Sequence, residues 1–125
     1  MEEPRRIRLS VGVVASYATL NDTQAAATVW DSLPLEFRVQ TWGDELYGAI
    51  PLDLKLERPQ EVVLPGDLGY WPPGHAFCIF FGPTPASDGD EVRAASAVTV
   101  LGHVEGESTV FRSVKSGAKV RVERA

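Results

Sequence analysis

The chain has 125 residues, of which 44% are hydrophobic and 23% are charged, and its formal net charge is -5. This length predicts a single domain over residues 1–125 that buries roughly two-thirds of the surface exposed by its unfolded chain. The composition excludes disorder and fibrous repeats, and the negative charge argues against nucleic acid as a partner, because phosphate binding needs a basic surface.

The cysteine content and the N-terminus indicate a compartment. The one cysteine, Cys78, lies inside an apolar run, so we expect a buried, inert thiol and no internal disulfide. The opening sequence MEEPRRIRLS has no apolar signal core, and no stretch approaches the length needed to span a bilayer. We therefore expect a cytoplasmic protein with no membrane partner and no cofactor.

The first third of the chain predicts a hairpin and a helix. Apolar and polar residues alternate over Ile7–Val11, Gly12 allows a turn, and Tyr17–Leu20 predicts the returning strand. The segment Asn21–Gln24 is the predicted start of a helix, because a short polar side chain accepts from free amide groups and Gln24 lies three residues after Asn21. Pro34 ends the helix. The apolar face of this helix consists of Ala26, Val29, Trp30 and Leu33.

Strand patterns return after the helix. Residues 37–42 alternate, Gly43-Asp44 predicts a turn, and residues 45–50 predict the returning strand. Leucines alternate with charged residues over residues 52–57, which predicts another one-sided strand that ends at Pro59.

The most informative stretch runs from Val62 to Pro85, VVLPGDLGYWPPGHAFCIFFGPTP. Its six apolar residues Ala76–Phe81 lie between turn formers, which predicts a strand buried on both faces. Pro72-Pro73-Gly74 predicts a stiff corner before that strand. Whether either prolyl bond is cis stays open.

The last third completes a mainly β pattern. Ala86–Ala95 is small, acidic and polar, which predicts a surface loop. A strand is predicted over Ala97–Val104, one or two helical turns over Ser108–Val114, and a final strand over Lys119–Glu123. Many short strands with regularly spaced turns and one clear helix favour a closed or nearly closed barrel.

Motifs along nearly the whole chain carry a family resemblance. They are Phe37-Arg38, Thr41-Trp42-Gly43, Glu45, Tyr47, Gly66-Asp67, the GYWPPG run at 69–74, Cys78–Gly82, Thr84-Pro85, Ala95–Val98 and Val100–Gly106. In this order they resemble the cyclophilin fold, and more specifically the small prokaryotic cyclophilin-like proteins. The resemblance implies a mainly β, closed cyclophilin-like barrel with one clear helix and one short helical turn. Most members of that family have no assigned activity.

True cyclophilins are prolyl isomerases, and the resemblance transfers only their core phenylalanine cleanly, to Phe80 or Phe81. Arg38 directly follows the strand phenylalanine, so the two side chains point to opposite faces. The late-loop Trp and His of cyclophilins fall near Arg93 and Val98, where neither residue type is present. If the chain is an enzyme, it is isomerase-like, with Arg38 as the candidate catalytic residue after a register shift.

Aromatic residues beside turns predict an apolar pocket, floored by the Tyr70–Phe81 corner, for a small molecule or a proline-containing peptide. The predicted ligand-binding residues are Trp42, Glu45, Tyr47, Tyr70, Trp71, Phe80 and Phe81. For Phe77 and one of Phe80 and Phe81, core packing is the alternative. Glu45 is either the orienting carboxylate of the pocket or a solvated turn residue, and Arg38 is either a cation for the ligand or an outward-facing side chain.

The sequence supports three hypotheses for the function and does not predict a metal site. His75 and His103 are far apart, and no further His or Cys has ligand spacing. The first hypothesis is a module that binds a small ligand or peptide, and the second is a weak peptidyl-prolyl isomerase. The third is an interaction-only protein that uses its aromatic corner as a homo-oligomer interface.

Overall fold

The computed structural model describes residues 4–125. Residues 1–3, which begin both the predicted domain and the MEEPRRIRLS segment, lie outside the described residues. The fold is mainly β, with one α-helix and two short 3-10 turns. The strands are β1 Arg5–Val11, β2 Val14–Leu20, β3 Leu35–Arg38, β4 Gln40–Thr41, β5 Glu45–Ala49, β6 Gln60–Val63, β7 Asp67–Trp71, β8 Ala76–Phe80, β9 Val92–Val104 and β10 Lys119–Arg124. The helix α1 is Gln24–Ser32, and the 3-10 turns are Pro72–Gly74 and Ser108–Ser113.

The predicted hairpin and helix are confirmed, with one change at the helix start. Thr23, not Asn21, caps α1, and its hydroxyl accepts from the backbone N–H of Ala26 at 3.0 Å. Asn21 instead orients the cap, because its side-chain oxygen accepts from the Thr23 hydroxyl at 2.7 Å. Two further free amides at the start of α1 donate to the carboxylate of Glu57, which satisfies donors that have no partner within the helix.

Nine of the strands form one path of hydrogen-bonded neighbours, β3-β10-β1-β2-β9-β7-β8-β5-β4, and β6 pairs with β9 off this path. The predicted closure into a barrel is wrong, because within residues 4–125 no ladder joins the two ends of the path. Both ends belong to one segment, which bends at Val39. Val39 donates to the carbonyl of Ala118 at 3.0 Å and accepts from the N–H of Gly117 at 2.7 Å, so both of its backbone groups are bonded to the 117–118 turn.

Two other local predictions are wrong. Leu52–Leu56 belongs to no strand. It is held by side chains, since the Tyr70 hydroxyl donates to the carbonyl of Leu52 at 2.6 Å and accepts from the N–H of Leu54 at 3.3 Å. The predicted loop Ala86–Ala95 ends early, because β9 already begins at Val92 and is 13 residues long.

The buried side chains form two clusters on opposite faces of β8. The large core takes Phe77 and Ile79 from β8 and is covered by α1 residues such as Val29. The small core takes Ala76, Cys78 and Phe80 from the other face of β8 and lies under β6 and the first half of β9. The prediction that this strand is buried on both faces is therefore confirmed. Among the described residues, no helix is long and apolar enough to cross a membrane.

Candidate functional site

The turn between β4 and β5 presents Trp42, Glu45 and Tyr47. The backbone N–H of Trp42 donates to the carbonyl of Glu45 at 2.9 Å, and Gly43 has the positive φ of +59° that this tight turn needs. Glu45 and Tyr47 are two residues apart in β5, so their side chains lie on the same face of the sheet. That face is the one above the small core, against which Tyr47 packs.

The loop that follows β8 holds this turn in place. Asp44 donates its N–H to the carbonyl of Pro83 at 3.0 Å and accepts from the N–H of Phe81 at 2.9 Å. A side chain at Gly82 would collide with the Asp44 carboxylate. The Thr84 hydroxyl donates to the carbonyl of Arg93. The FFGPTP motif therefore ties the β4–β5 turn to β9, and both lie beside the same space.

The proline corner fixes Trp71. A Cβ at Gly74 would lie 2.9 Å from Cζ3 of Trp71, so the indole ring packs directly on the backbone of the corner. The indole N–H donates to the Ser96 hydroxyl at 2.7 Å. His75 ends the corner in the left-handed conformation, with φ +48°. The cis prolyl bond in the described part of the chain is Leu33-Pro34, and the bonds before Pro72 and Pro73 are trans.

These segments surround one cavity of about 220 Å³. It is lined by Trp42, Glu45, Tyr47, Trp71, Ala94, Ala95 and Val98. Four of the seven residues predicted to bind a ligand therefore lie around one hollow. The predicted set lacks the three lining residues from β9: Ala94 and Ala95 fall in the predicted loop, and Val98 falls in the predicted strand Ala97–Val104, with no local signal that it borders a cavity. The run Ala94-Ala95-Ser96-Ala97 was the available signal, since small residues in a strand leave space above it.

The other three predicted residues do not line the cavity. Tyr70 and Phe81 point into the large core, where Tyr70 is fully buried and Phe81 packs on Phe111 with ring centroids 6.2 Å apart. Phe80 is fully buried in the small core. It packs over Gly69, where a Cβ would be 3.1 Å from its ring, and it serves as part of the floor below the lining residues.

Glu45 is buried, with only 6% of its surface exposed, so the alternative of a solvated turn residue is wrong. Burial raises the pKa of its carboxyl to about 7, and a hydrogen bond with the Cys78 thiol opposes part of that rise. Burial likewise raises the pKa of Cys78, as expected for an inert thiol. No Lys, Arg or His of residues 4–125 lies within ion-pair distance of Glu45.

Arg38 lies outside this cavity. Its side chain is exposed and donates to the carbonyl of Gly117 at 2.8 Å. It borders an adjoining groove of about 310 Å³ that shares Tyr47 and Trp71 with the cavity. The side chain of Phe37 points the other way and packs on Phe77 with ring centroids 5.6 Å apart, as expected for neighbours in a strand.

The two histidines are half-exposed, and each lies beside a carboxylate. His75 Nε2 lies 3.5 Å from Asp53, and His103 Nδ1 lies 2.9 Å from the Asp67 carboxylate. Neither lines the cavity. In the described part of the chain, no group of three or more His, Cys, Asp or Glu side chains is arranged to hold a metal ion.

Comparisons with known proteins agree with this architecture. The model of the family described as cyclophilin-like matches residues 5–123. The solution structure of the hypothetical protein AF2241 from Archaeoglobus fulgidus is 34% identical, with a TM-score of 0.81, and the match covers 98% of this chain and 95% of that one. McbB, solved in complex with tryptophan, is 16% identical with a TM-score of 0.72, over 94% of this chain and 44% of McbB. No curated protein matches the sequence.

Proposed function

Since the chain belongs to the cyclophilin-like family, we propose that it is a binding protein for a small molecule, which occupies the cavity beside Glu45. The observation that carries the proposal is the convergence of three aromatic side chains and one buried carboxyl on a single hollow. An apolar wall with a few precisely placed polar groups is the usual composition of a ligand site.

Two of the three rings of this cavity are hydrogen-bonded within the protein. Trp71 is held by its hydrogen bond to Ser96, and the Tyr47 hydroxyl donates to the side chain of Gln40 at 3.2 Å. A ligand that enters a wall of ordered side chains loses little affinity to their immobilisation. This rigidity supports a binding role for these rings.

The relatives add support for the fold and little for the ligand. AF2241 is itself described as hypothetical. McbB was solved in complex with tryptophan, but the match covers 44% of McbB at 16% identity, so we take from it only the fold.

Two alternatives rank below this proposal. A prolyl isomerase would need Arg38 beside the bound proline, whereas its guanidinium is engaged outside the cavity. An oligomer interface at the aromatic corner would need strongly exposed rings, whereas Trp42, Tyr47 and Trp71 are each only partly exposed.

The experiment is a thermal-shift screen of small molecules against the full chain, followed by two tryptophan variants. Trp42 lines the cavity and belongs to neither core, so Trp42→Ala should leave the fold intact and remove the ligand-induced rise in Tm. Trp30→Ala is the control, because Trp30 is also partly buried but packs against the large core and under Arg124, away from the cavity.

The expected result is at least tenfold weaker binding in Trp42→Ala, which corresponds to about 1.4 kcal/mol, and unchanged binding in Trp30→Ala. Equal affinity in Trp42→Ala and the parent protein would place the ligand elsewhere and refute the proposal. A screen without any stabilising molecule would also count against it.

A further inference from the structure

The cavity contains one carboxyl group and no cation. Glu45 is the only acidic or basic lining residue, and it has no Lys, Arg or His partner among residues 4–125. A buried carboxyl without a cationic partner is unfavourable as an anion. A ligand that supplies the missing positive charge would relieve this cost.

The aromatic rings around the cavity also favour a positively charged ligand. The polar atoms of Trp71 and Tyr47 are already used by Ser96 and Gln40, so these two residues offer the cavity the apolar surface of their rings. The faces of Trp and Tyr rings carry negative electrostatic potential and attract ammonium groups within about 6 Å. Trp42 adds a second indole to the wall.

An anionic ligand would find no cation at this site. Arg93 precedes the lining residue Ala94, but it is paired with Glu91 at 3.2 Å. Arg112 reaches the turn that carries Glu45, where it is paired with Asp44 at 3.1 Å. An anion would meet the carboxyl of Glu45 without compensation, and like charges at close range oppose binding.

From these observations we infer that the ligand is a small organic ammonium ion. Its nitrogen faces the Glu45 carboxylate, and its alkyl or aromatic part lies against Trp42, Tyr47 and Trp71. The inference rests on the proposed function, because it specifies which chemical class the same cavity takes.

Binding should be linked to a proton. Only the ionised carboxylate attracts the cation, and the carboxyl of the empty protein has a pKa of about 7. The other titratable groups beside Glu45 on β5 and β8 are the Tyr47 hydroxyl and Cys78. Asp67 lies on the same face of β7 as Trp71 and is hydrogen-bonded with His103, and β9 contributes only Ala94, Ala95 and Val98 to the lining. Affinity for an ammonium ion should therefore fall about tenfold for each pH unit below 7.

The test compares two probes of the same shape, choline and its uncharged analogue 3,3-dimethylbutan-1-ol. Binding of each to the full chain is followed by tryptophan fluorescence and amide chemical shifts, above and below neutral pH. Glu45→Gln removes the charge while keeping the size of the side chain. Glu61→Gln is the matched control, because Glu61 is an exposed residue of β6 and does not line the cavity.

Choline is expected to bind at least tenfold more tightly than the alcohol, with the affinity of each probe measured from the signals of the cavity residues. The difference in affinity between the two probes should disappear in Glu45→Gln and also in the parent protein below neutral pH. It should persist in Glu61→Gln. If both probes bind equally, or if choline binding is unchanged in Glu45→Gln, the inference of a cation is overturned while the cavity remains a ligand site. If neither probe binds, the inference is also overturned, and the ligand screen decides separately whether the proposed function survives.

Discussion

The two faces of β8 have opposite surroundings although they belong to one strand. Phe77 and Ile79 enter the large core, where Phe77 meets the ring of Phe37. Cys78 and Phe80 enter the small core, and the hollow lies directly beside it.

The size of the residues on the neighbouring elements explains the difference. The large core is filled by long aliphatic and aromatic side chains from both sheet and helix, which gives the close packing typical of protein interiors. The small core faces the first half of β9, whose Ala94 and Ala95 are too short to fill the space between Tyr47 and Trp71. The comparison teaches that one regular strand can support a packed core on one side and a site on the other.

Truncation of the large core should give the largest effect. Phe77→Ala removes a fully buried ring and should lower the free energy of unfolding by about 3 to 5 kcal/mol. Trp42→Ala, on the side of the cavity, should lower it by less than about 1 kcal/mol, because Trp42 belongs to neither core. Urea denaturation of both variants measures the contrast, and equal losses would show that the cavity side is packed as tightly as the other.

The buried carboxyl should give a pH-dependent effect of intermediate size. Burial raises the pKa of Glu45 from 4.5 to about 7, so the folded protein keeps a proton that the unfolded chain releases in this range. The free energy of unfolding should therefore fall as pH rises from about 4.5 to 7, by up to about 3 kcal/mol from this group.

Denaturation of the parent protein and Glu45→Gln at about pH 5 and about pH 8 checks this expectation. The loss of stability between the two pH values should be smaller in Glu45→Gln, and Glu61→Gln serves as the control on the exposed surface. An identical loss in the parent protein and Glu45→Gln would mean that the carboxyl is solvated in the folded state.

Substitutions of Tyr70 and Tyr47 should change the free energy of unfolding least. They should also distinguish the two faces of the sheet most clearly. Tyr70→Phe removes two hydrogen bonds to the 52–54 segment and should cost about 1 to 2 kcal/mol. Tyr47→Phe removes one exposed hydrogen bond to Gln40 and should cost less than about 0.5 kcal/mol.

Ligand binding should be weakened by Tyr47→Phe and not by Tyr70→Phe, because only Tyr47 lines the cavity and its hydrogen bond to Gln40 helps to hold the lining ring in place. Calorimetric titration with any molecule that stabilises the parent protein measures this. If Tyr70→Phe weakened binding while its fold stayed intact, the assignment of Tyr70 to the packed side would be wrong.

The sequence by itself determined the features that depend on neighbours along the chain. The alternation in β1, the turn at Gly12, the end of α1 at Pro34 and the apolar run Ala76–Phe81 are local patterns. Each follows from the period of side chains or the backbone preference of one residue type. The motifs around Trp42 and Trp71 indicated four of the residues that surround the cavity.

Only the tertiary structure decided what depends on residues distant in sequence. Val39 pairs with the 117–118 turn and so leaves the sheet open, and Tyr70 faces the packed core although Trp71 faces the cavity. From local sequence, Glu45 is compatible with a solvated turn residue, and its burial depends on the packing of β8 and β9. The reason is physical: the exposure of a side chain, and with it the pKa of a carboxyl, is set by segments that local patterns do not place.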